Sequence, residues 1–216
     1  MNDPNDAAAA VDTAEIVSGV VDRLAEDVGQ DVPVKTVITD VTSKTGGIAA
    51  YYVESDTLYV DPGWAQLIVD DPELYASTGM VLHELGHRAD RRIAVWRMRS
   101  YWWPVYFIAP TMFPLLLIGQ FMQQTWAWVA MSGLFAVWGL IFIFVFIPLS
   151  WYAEFRADDF CCDTGGISKA AMFLFVLCDV RLPFGSALRA MVTHPPSGMR
   201  FRRQMRRAGF NARMPH

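Results

Sequence analysis

The chain is poor in several residues that usually announce a function. Of its 216 residues, three are cysteine and four are histidine. Cys161, Cys162 and Cys178 make no disulfide framework, because the number is odd and adjacent thiols are poor partners for each other. A reducing compartment is the simpler setting. Two buried helix residues are the simpler reading of the 161–162 pair. Positive charge is nearly all arginine, gathered beside an apolar block and at the C-terminus. A net charge of -4 is too mild to name a partner, and nucleic acid is not expected as one. The N-terminal stretch MNDPNDAAAAVD lacks a basic n-region and a long apolar core. It does not read as a secretory leader. Residues 1–13 are expected to form a disordered acidic tail.

The largest absence is of charge. Apolar residues make up 53% of the chain, high for a soluble globule, and the excess is concentrated from Tyr101 to Ala153, where there is no Asp, Glu, Lys or Arg. Outside this block the composition is that of an ordinary soluble domain. The block reads as two membrane spans, Tyr101 to Phe121 and Trp126 to Ser150. The second is ~37 Å long as a helix, enough to cross a ~30 Å hydrocarbon core. Pro104, Pro110 and Pro114 lie in the first, where a membrane helix tolerates them. Trp96, Tyr101, Trp102 and Trp103 flank one end, Trp126 and Trp128 mark the turn, and Trp151 and Tyr152 mark the exit, as interfacial aromatics do. A buried core hairpin is the competing reading, but such hairpins are shorter and carry a polar face. Arg88, Arg91, Arg92, Arg97 and Arg99 precede the first span and Arg156 follows the second, while the turn 119–125 is uncharged. The positive-inside tendency then puts both termini on the cytoplasmic side, where the segments flanking the hairpin can form one domain.

What remains is patterned. Ile16, Val17, Val20, Val21, Leu24 and Val28 have helical spacing over 14–29. Val34 to Val41, Ile48 to Val53 and Thr57 to Val60 read as strands, with Gly46-Gly47 and Ser55-Asp56 at the turns, and predict a small antiparallel sheet. A helix is expected from Asp71, with Asp71 as N-cap and Pro72 at its first position, to about Trp96. Another is expected from Ala153 to Thr164, stopped by Gly165-Gly166. Ser168 is expected to cap a helix running through Cys178. The tail from Arg200 to Arg213 holds six arginines and looks helical.

Inside the helix expected from Asp71 lies HELGH, residues 83–87. His83 and His87 are four apart, ~400° of helical rotation, so both imidazoles project from nearly one face and can reach one ion. Glu84 is offset by ~100° and can act as a base on the open side of that ion. This is the physical content of H-E-x-x-H. The pattern can arise by chance in an amphipathic helix. Here, two of only four histidines and one of six glutamates fall into it. Gly79 and Gly86 lie seven apart on one face, which lets another element approach closely. Catalytic zinc keeps three protein ligands, and Glu154 and His194 are the candidates for the third. EFRADDF, residues 154–160, favours Glu154, because Asp158 follows one turn later on the same face and can orient a ligand imidazole. Glu154 could instead simply favour the helix dipole at a helix start.

HELGH, then EFRAD, then THPPSGMR resembles the membrane-associated zinc endopeptidases that include the heat-shock protease HtpX and the type 1 CAAX prenyl proteases. The pattern there is H-E-x-x-H, later E-x-x-A-D, later H-P followed by an Arg, and the resemblance covers roughly residues 33–207. It implies one zinc ion per chain, held by His83, His87 and Glu154, with Asp158 orienting a ligand. It implies that Glu84 activates water and later protonates the leaving amine, and that His194 steadies the developing negative charge. Arg200 would bind the substrate carbonyl side or hold the site together. Its alternative is one member of a basic helix facing anionic lipid. The chain departs from the family in lacking N-terminal spans. It also has Gly47-Ile48-Ala49-Ala50-Tyr51 where members carry an Asn-Ala-Phe-like strand. Two spans cannot build the large chamber of the prenyl proteases, so an HtpX-like minimal enzyme is the closer comparison.

The expected fold is therefore α+β. A mainly helical zinc metallopeptidase domain with a small antiparallel sheet is interrupted by a two-helix transmembrane hairpin. The N-terminal half is 14–100, the hairpin 101–150 and the C-terminal half 151–216. The expected activity is zinc-dependent endopeptidase action on membrane or membrane-proximal proteins, with the site on the cytoplasmic side and the lipid bilayer as partner. A zinc-bearing sensor or scaffold that has lost proteolysis is the alternative, although every residue the chemistry needs is present. A signalling protease of the BlaR type fits Ala157-Asp158 and His194-Pro195 less well.

Overall fold

The computed structural model describes residues 4–41, 47–121, 124–179, 190 and 192–210, and for 4–11, 101, 103–105, 107–109 and 179 the backbone alone. It is mainly helical with a small sheet. Gly46 and Arg213, named above, lie outside the described residues, as do residues 122–123 of the connecting turn. The expected disordered tail is corrected from Pro4 onward, since α1 runs Pro4–Asp27. Four consecutive alanines, Ala7 to Ala10, have the highest helix propensity and carry the helix toward the N-terminus. Val17, Val20, Val21 and Leu24 form its buried stripe.

The strands are β1, Lys35–Ile38; β2, Ala49–Tyr52; and β3, Thr57–Val60, in the order β1-β3-β2. β2 and β3 pair antiparallel through the turn at Ser55-Asp56, where Asp56 has φ 47. β1 pairs parallel to β3. The sheet is therefore mixed, which corrects the antiparallel expectation. The reason lies in burial. Thr57, Leu58 and Val60 are the most buried strand residues, so β3 takes the centre and leaves β2 at an edge.

Between the sheet and the HELGH helix Asp-Pro occurs at 61–62 and again at 71–72, and of these two the chain uses the earlier as a helix start. α2, Pro62–Asp70, was not anticipated; its N-cap Asp61 accepts a hydrogen bond from the Gly63 N–H at 3.1 Å. Asp71 instead accepts from the Glu73 N–H within a turn, and α3 begins only at Tyr75 and ends at Ala89. The helix expected over 71–96 is thus broken at Asp90, after which α4 runs Arg91–Phe121.

α5, Thr125–Ile141, passes through a widened π segment, Phe142–Phe146, into α6, Ile147–Gly165. Pro148 has no N–H for the Phe144 carbonyl, and the turn before it opens accordingly. Thr125–Gly165 is one helix long and apolar enough to cross a membrane, and 6% of its most apolar stretch is buried. α4 lies against it, with Gly119 on the Trp128 ring. Phe113, Phe121, Val129, Phe135, Leu140 and Phe144 point outward, the reverse of a water-facing helix. Helices run unbroken through residues 100–101 and 150–151, so those boundaries mark changes of composition. Gly166, with φ 85, ends α6. α7 runs Ile167–Asp179, which places Ser168 inside that helix and not at its cap. α8 runs Ser197–Arg207.

α1, the sheet, α2, α3 and α7 share one core, with Val21, Leu58, Ile68, Met80, Leu85 and Leu174 fully or almost fully buried. α3 is its axis and is buried from Ala76 to His87. A Cβ at Gly79 would stand 2.4 Å from the Lys169 carbonyl oxygen of α7, and one at Gly86 2.9 Å from Ala157 Cα of α6. The two glycines thus bring both helices hard against α3, as their spacing suggested.

Candidate metal centre

The contact at Gly86 sets the site, because it lays the 154–158 face of α6 on the 83–87 face of α3. His83, His87 and Glu154 are all buried, and one ligand-type atom from each falls within 4.8 Å of the others. His83 Nε2 is 3.4 Å from Glu154 Oε2, and His87 Nε2 is 3.3 Å from Oε1. His83 Nδ1 lies 3.0 Å from Asp158 Oδ1. Each nitrogen of His83 therefore has its own carboxylate, the arrangement that fixes the tautomer and aim of a metal-binding imidazole.

Arg200 is 3% exposed and donates from Nε (2.9 Å) and Nη2 (2.6 Å) to the two oxygens of Asp158. The reading of Arg200 as a lipid-facing residue is thereby corrected: it is buried and holds the site together. Its helix is a charge clamp, with Arg203 on Asp159, Arg207 on Asp159 and Asp163, and Arg203 over the Phe155 ring. These spacings of three and four residues keep α8 along α6. Phe173 of α7 forms an apolar wall, 5.3 Å from the His83 ring centre.

Glu84 faces the edge of the sheet, where its Oε2 accepts a hydrogen bond from the Tyr51 N–H at 2.8 Å. Tyr51 is held in turn by its hydroxyl, which donates to Asp56 Oδ1 at 2.7 Å, and Asp56 is gripped by Arg88 Nε and Nη2 at 2.8 Å. The Arg88 hydrogen bonds hold the Asp56 carboxyl down at about 2, whereas burial and the bond to Asp56 push the Tyr51 phenol up to about 12.

His194 also reaches Glu154 Oε1, with Nε2 at 3.5 Å, and its side chain is 37% exposed. Ser150 donates to the Thr193 carbonyl at 2.7 Å, which ties the helical residues 192–193, just before His194, to α6. Withdrawal from water holds the His194 imidazole below the ordinary histidine value despite the pull of Glu154, and Arg200 and Arg97 act in the same direction. Burial and Arg200 also oppose charge on His83, but its contacts with Asp158 and Glu154 outweigh them and raise it to about 9.

A cation fits this donor set. Glu154 Oε2 is buried and accepts no hydrogen bond among the described residues, a costly state for a carboxylate that a bound ion would relieve. The buried group could hold a metal ion.

Comparison with protein-family models, with curated proteins and with solved structures finds no match. The site must therefore be read from its own geometry.

All seven residues singled out in the sequence meet here: His83, Glu84, His87, Glu154, Asp158, His194 and Arg200. Sequence reasoning missed Arg97, whose Nη1 is 3.4 Å from Glu154 Oε1. It was counted only among the arginines that orient the membrane block. Among the described residues three of those six have acidic partners: Arg88 on Asp56, Arg97 on Glu154 and Arg156 on Asp90. Cys161 is buried with its thiol on the Gly79 carbonyl, while Cys162 is only partly buried, and neither belongs to the ligand set.

Proposed function

We propose that the chain is a membrane-anchored, zinc-dependent endopeptidase, similar in plan to HtpX, with one zinc per chain. The observation that carries the reading is the joint placement of two imidazoles and a carboxylate with an unsatisfied buried oxygen, beside a second carboxylate at a sheet edge. The donor set, two nitrogens and one carboxylate oxygen, suits zinc in a catalytic site. When bound, zinc supplies a Lewis acid that polarises a carbonyl and acidifies an attacking water.

The chain's own residues do the rest. His83, His87 and Glu154 hold the ion, and Asp158 with Arg200 fixes the aim of His83. Glu84 takes a proton from the attacking water and returns it to the leaving amine. The Tyr51 N–H keeps the Glu84 carboxylate turned toward the substrate side of β2. The Thr193 hydroxyl and His194 Nδ1, 2.7 Å apart, share a hydrogen bond that orients the ring, and His194 Nε2 is the atom that donates to the developing oxyanion. The β2 edge offers main-chain pairing to an extended segment of substrate.

Membrane anchoring is supported by the outward-facing apolar residues of α4 and Thr125–Gly165. At 41 residues the latter is roughly 60 Å long. It can cross a bilayer and still project, and Glu154 stands one turn past Ser150, where the apolar run ends. The active site then lies at the membrane surface, and its substrates are membrane or membrane-adjacent proteins. Arg91, Arg92 and Arg99 remain exposed beside the first apolar segment, which favours a cytoplasmic site with α4 and α5 as a two-span hairpin. The test is metal analysis with a cleavage assay on detergent-purified protein. One zinc per chain and cleavage of an unstructured protein, abolished by a chelator and restored by zinc, are expected. Cleavage indifferent to the chelator would overturn the proposal. Bound zinc without any cleavage would favour the scaffold.

A further inference from the structure

The two oxygens of Glu154 keep different company. Oε1 accepts from Arg97 Nη1 at 3.4 Å, the one contact of Glu154 with hydrogen-bond geometry among the described residues, and it also has His87 Nε2 at 3.3 Å and His194 Nε2 at 3.5 Å beside it. Oε2 accepts none, although His83 Nε2 at 3.4 Å and Arg200 Nη1 at 3.3 Å are close. Arg200 commits its Nε and Nη2 to Asp158. Arg97 comes from α4, the helix that leads into the first apolar segment, and among the described residues it has no second acidic partner.

We infer that Arg97 is a positioning residue for the metal centre, anchoring the Glu154 carboxylate through Oε1 against the swing that would bring both oxygens to the ion. The inference rests on the metal-centre reading above. A carboxylate with both oxygens free can swing to chelate an ion through both, and a hydrogen bond to one oxygen opposes that swing. Three protein ligands with one oxygen from Glu154 leave an open fourth position, as catalytic zinc requires. Chelation by both oxygens would crowd that position. Arg97 also joins the ligand to α4, so the seating of α4 bears on the coordination of the ion.

Cobalt(II) reports coordination number, because its visible bands are strong when four-coordinate and weak when five-coordinate. The full-length protein is loaded with cobalt in place of zinc, and wild type is compared with Arg97→Met, Arg97→Lys and Arg92→Met. Arg97 uses a single donor, so lysine can replace it, and Arg92 is an exposed arginine on the same helix. The expected pattern is a strong band in wild type, Arg97→Lys and Arg92→Met, and loss of intensity in Arg97→Met. A strong band in Arg97→Met overturns the inference, as does equal weakening in both Arg97 variants or in Arg92→Met. If Arg97→Met does not fold, Arg97→Lys decides alone, a strong band supporting the inference and a weak one refuting it. If wild type binds no cobalt, the metal-centre reading falls and takes this inference with it.

Discussion

Replacing Gly86 by alanine tests whether the close approach of α3 and α6 builds the site. The new Cβ would lie 2.9 Å from Ala157 Cα, 3.0 Å from the Ala157 oxygen and 3.1 Å from Phe160 Cβ, while ordinary contact begins at 3.4 Å. Two of the three clashes are with backbone, which no side-chain rotation relieves. α6 must therefore retreat by about 0.5 Å, the difference between 3.4 and 2.9 Å. Ala157 lies between Glu154 and Asp158, so both carboxylates retreat with it. Overpacking of this kind costs about 1–3 kcal/mol. If the site gives way instead of the fold, the same energy appears as a loss of zinc affinity of roughly 5-fold to 150-fold. Competition against a chromogenic chelator reads the affinity, and thermal unfolding of the zinc-free protein reads the stability. Gly19→Ala is the control, since Gly19 is exposed in α1 with nothing within 4 Å of its Cβ, and alanine there gains up to about 1 kcal/mol. A Gly86→Ala protein with wild-type affinity and wild-type stability would refute the reasoning.

Three further outcomes are expected. Arg200→Met leaves the Asp158 charge buried without its partner and lowers stability by about 3–5 kcal/mol, read by denaturant unfolding; an unchanged midpoint would contradict the clamp. In the metal-free protein His83 is raised to about 9, so its protonated form contributes stability below about 6.5 that is lost as pH rises through 9. Zinc must displace that proton, so affinity measured from pH 7 to 9 climbs by up to about tenfold per unit and then levels; a flat profile over that range would count against it. Asp56 is held at about 2 in the fold, below its ordinary value, so the stability it contributes is present above about pH 4 and lost as pH falls toward 2. Asp56→Asn should lower the melting temperature at pH 7 and flatten that acid limb, and a variant as acid-sensitive as wild type would argue against the Arg88 grip.

The parts legible in the sequence are those with a strong local signal. H-E-x-x-H and E-x-x-A-D fix residues on helical faces, and two glycines seven apart announce a close neighbour for α3 without saying which. The charge-free block announces its apolar helices. Less legible were features decided by competition between equal signals or by distant partners. Asp61-Pro62 and Asp71-Pro72 carry the same cap signal, and only packing of Trp64 and Ile68 into the core selects the first. The parallel pairing of β1 with β3 depends on which strand is most buried, which alternation alone does not order. Arg97 has no motif around it. Its role depends on α4 passing beside Glu154, 57 residues away in sequence, and an arginine beside an apolar block carries the same local signature whether it meets lipid or a carboxylate.

The central claim is that Glu84 performs the proton transfer at a centre held by His83, His87 and Glu154. Glu84→Gln keeps the size of the side chain, keeps an oxygen to accept from the Tyr51 N–H and removes the base. Zinc content and cleavage of an unstructured protein are measured on the same preparation, beside wild type. One zinc per chain with cleavage lost is the predicted result. Cleavage at the wild-type rate by the zinc-loaded variant would contradict the account.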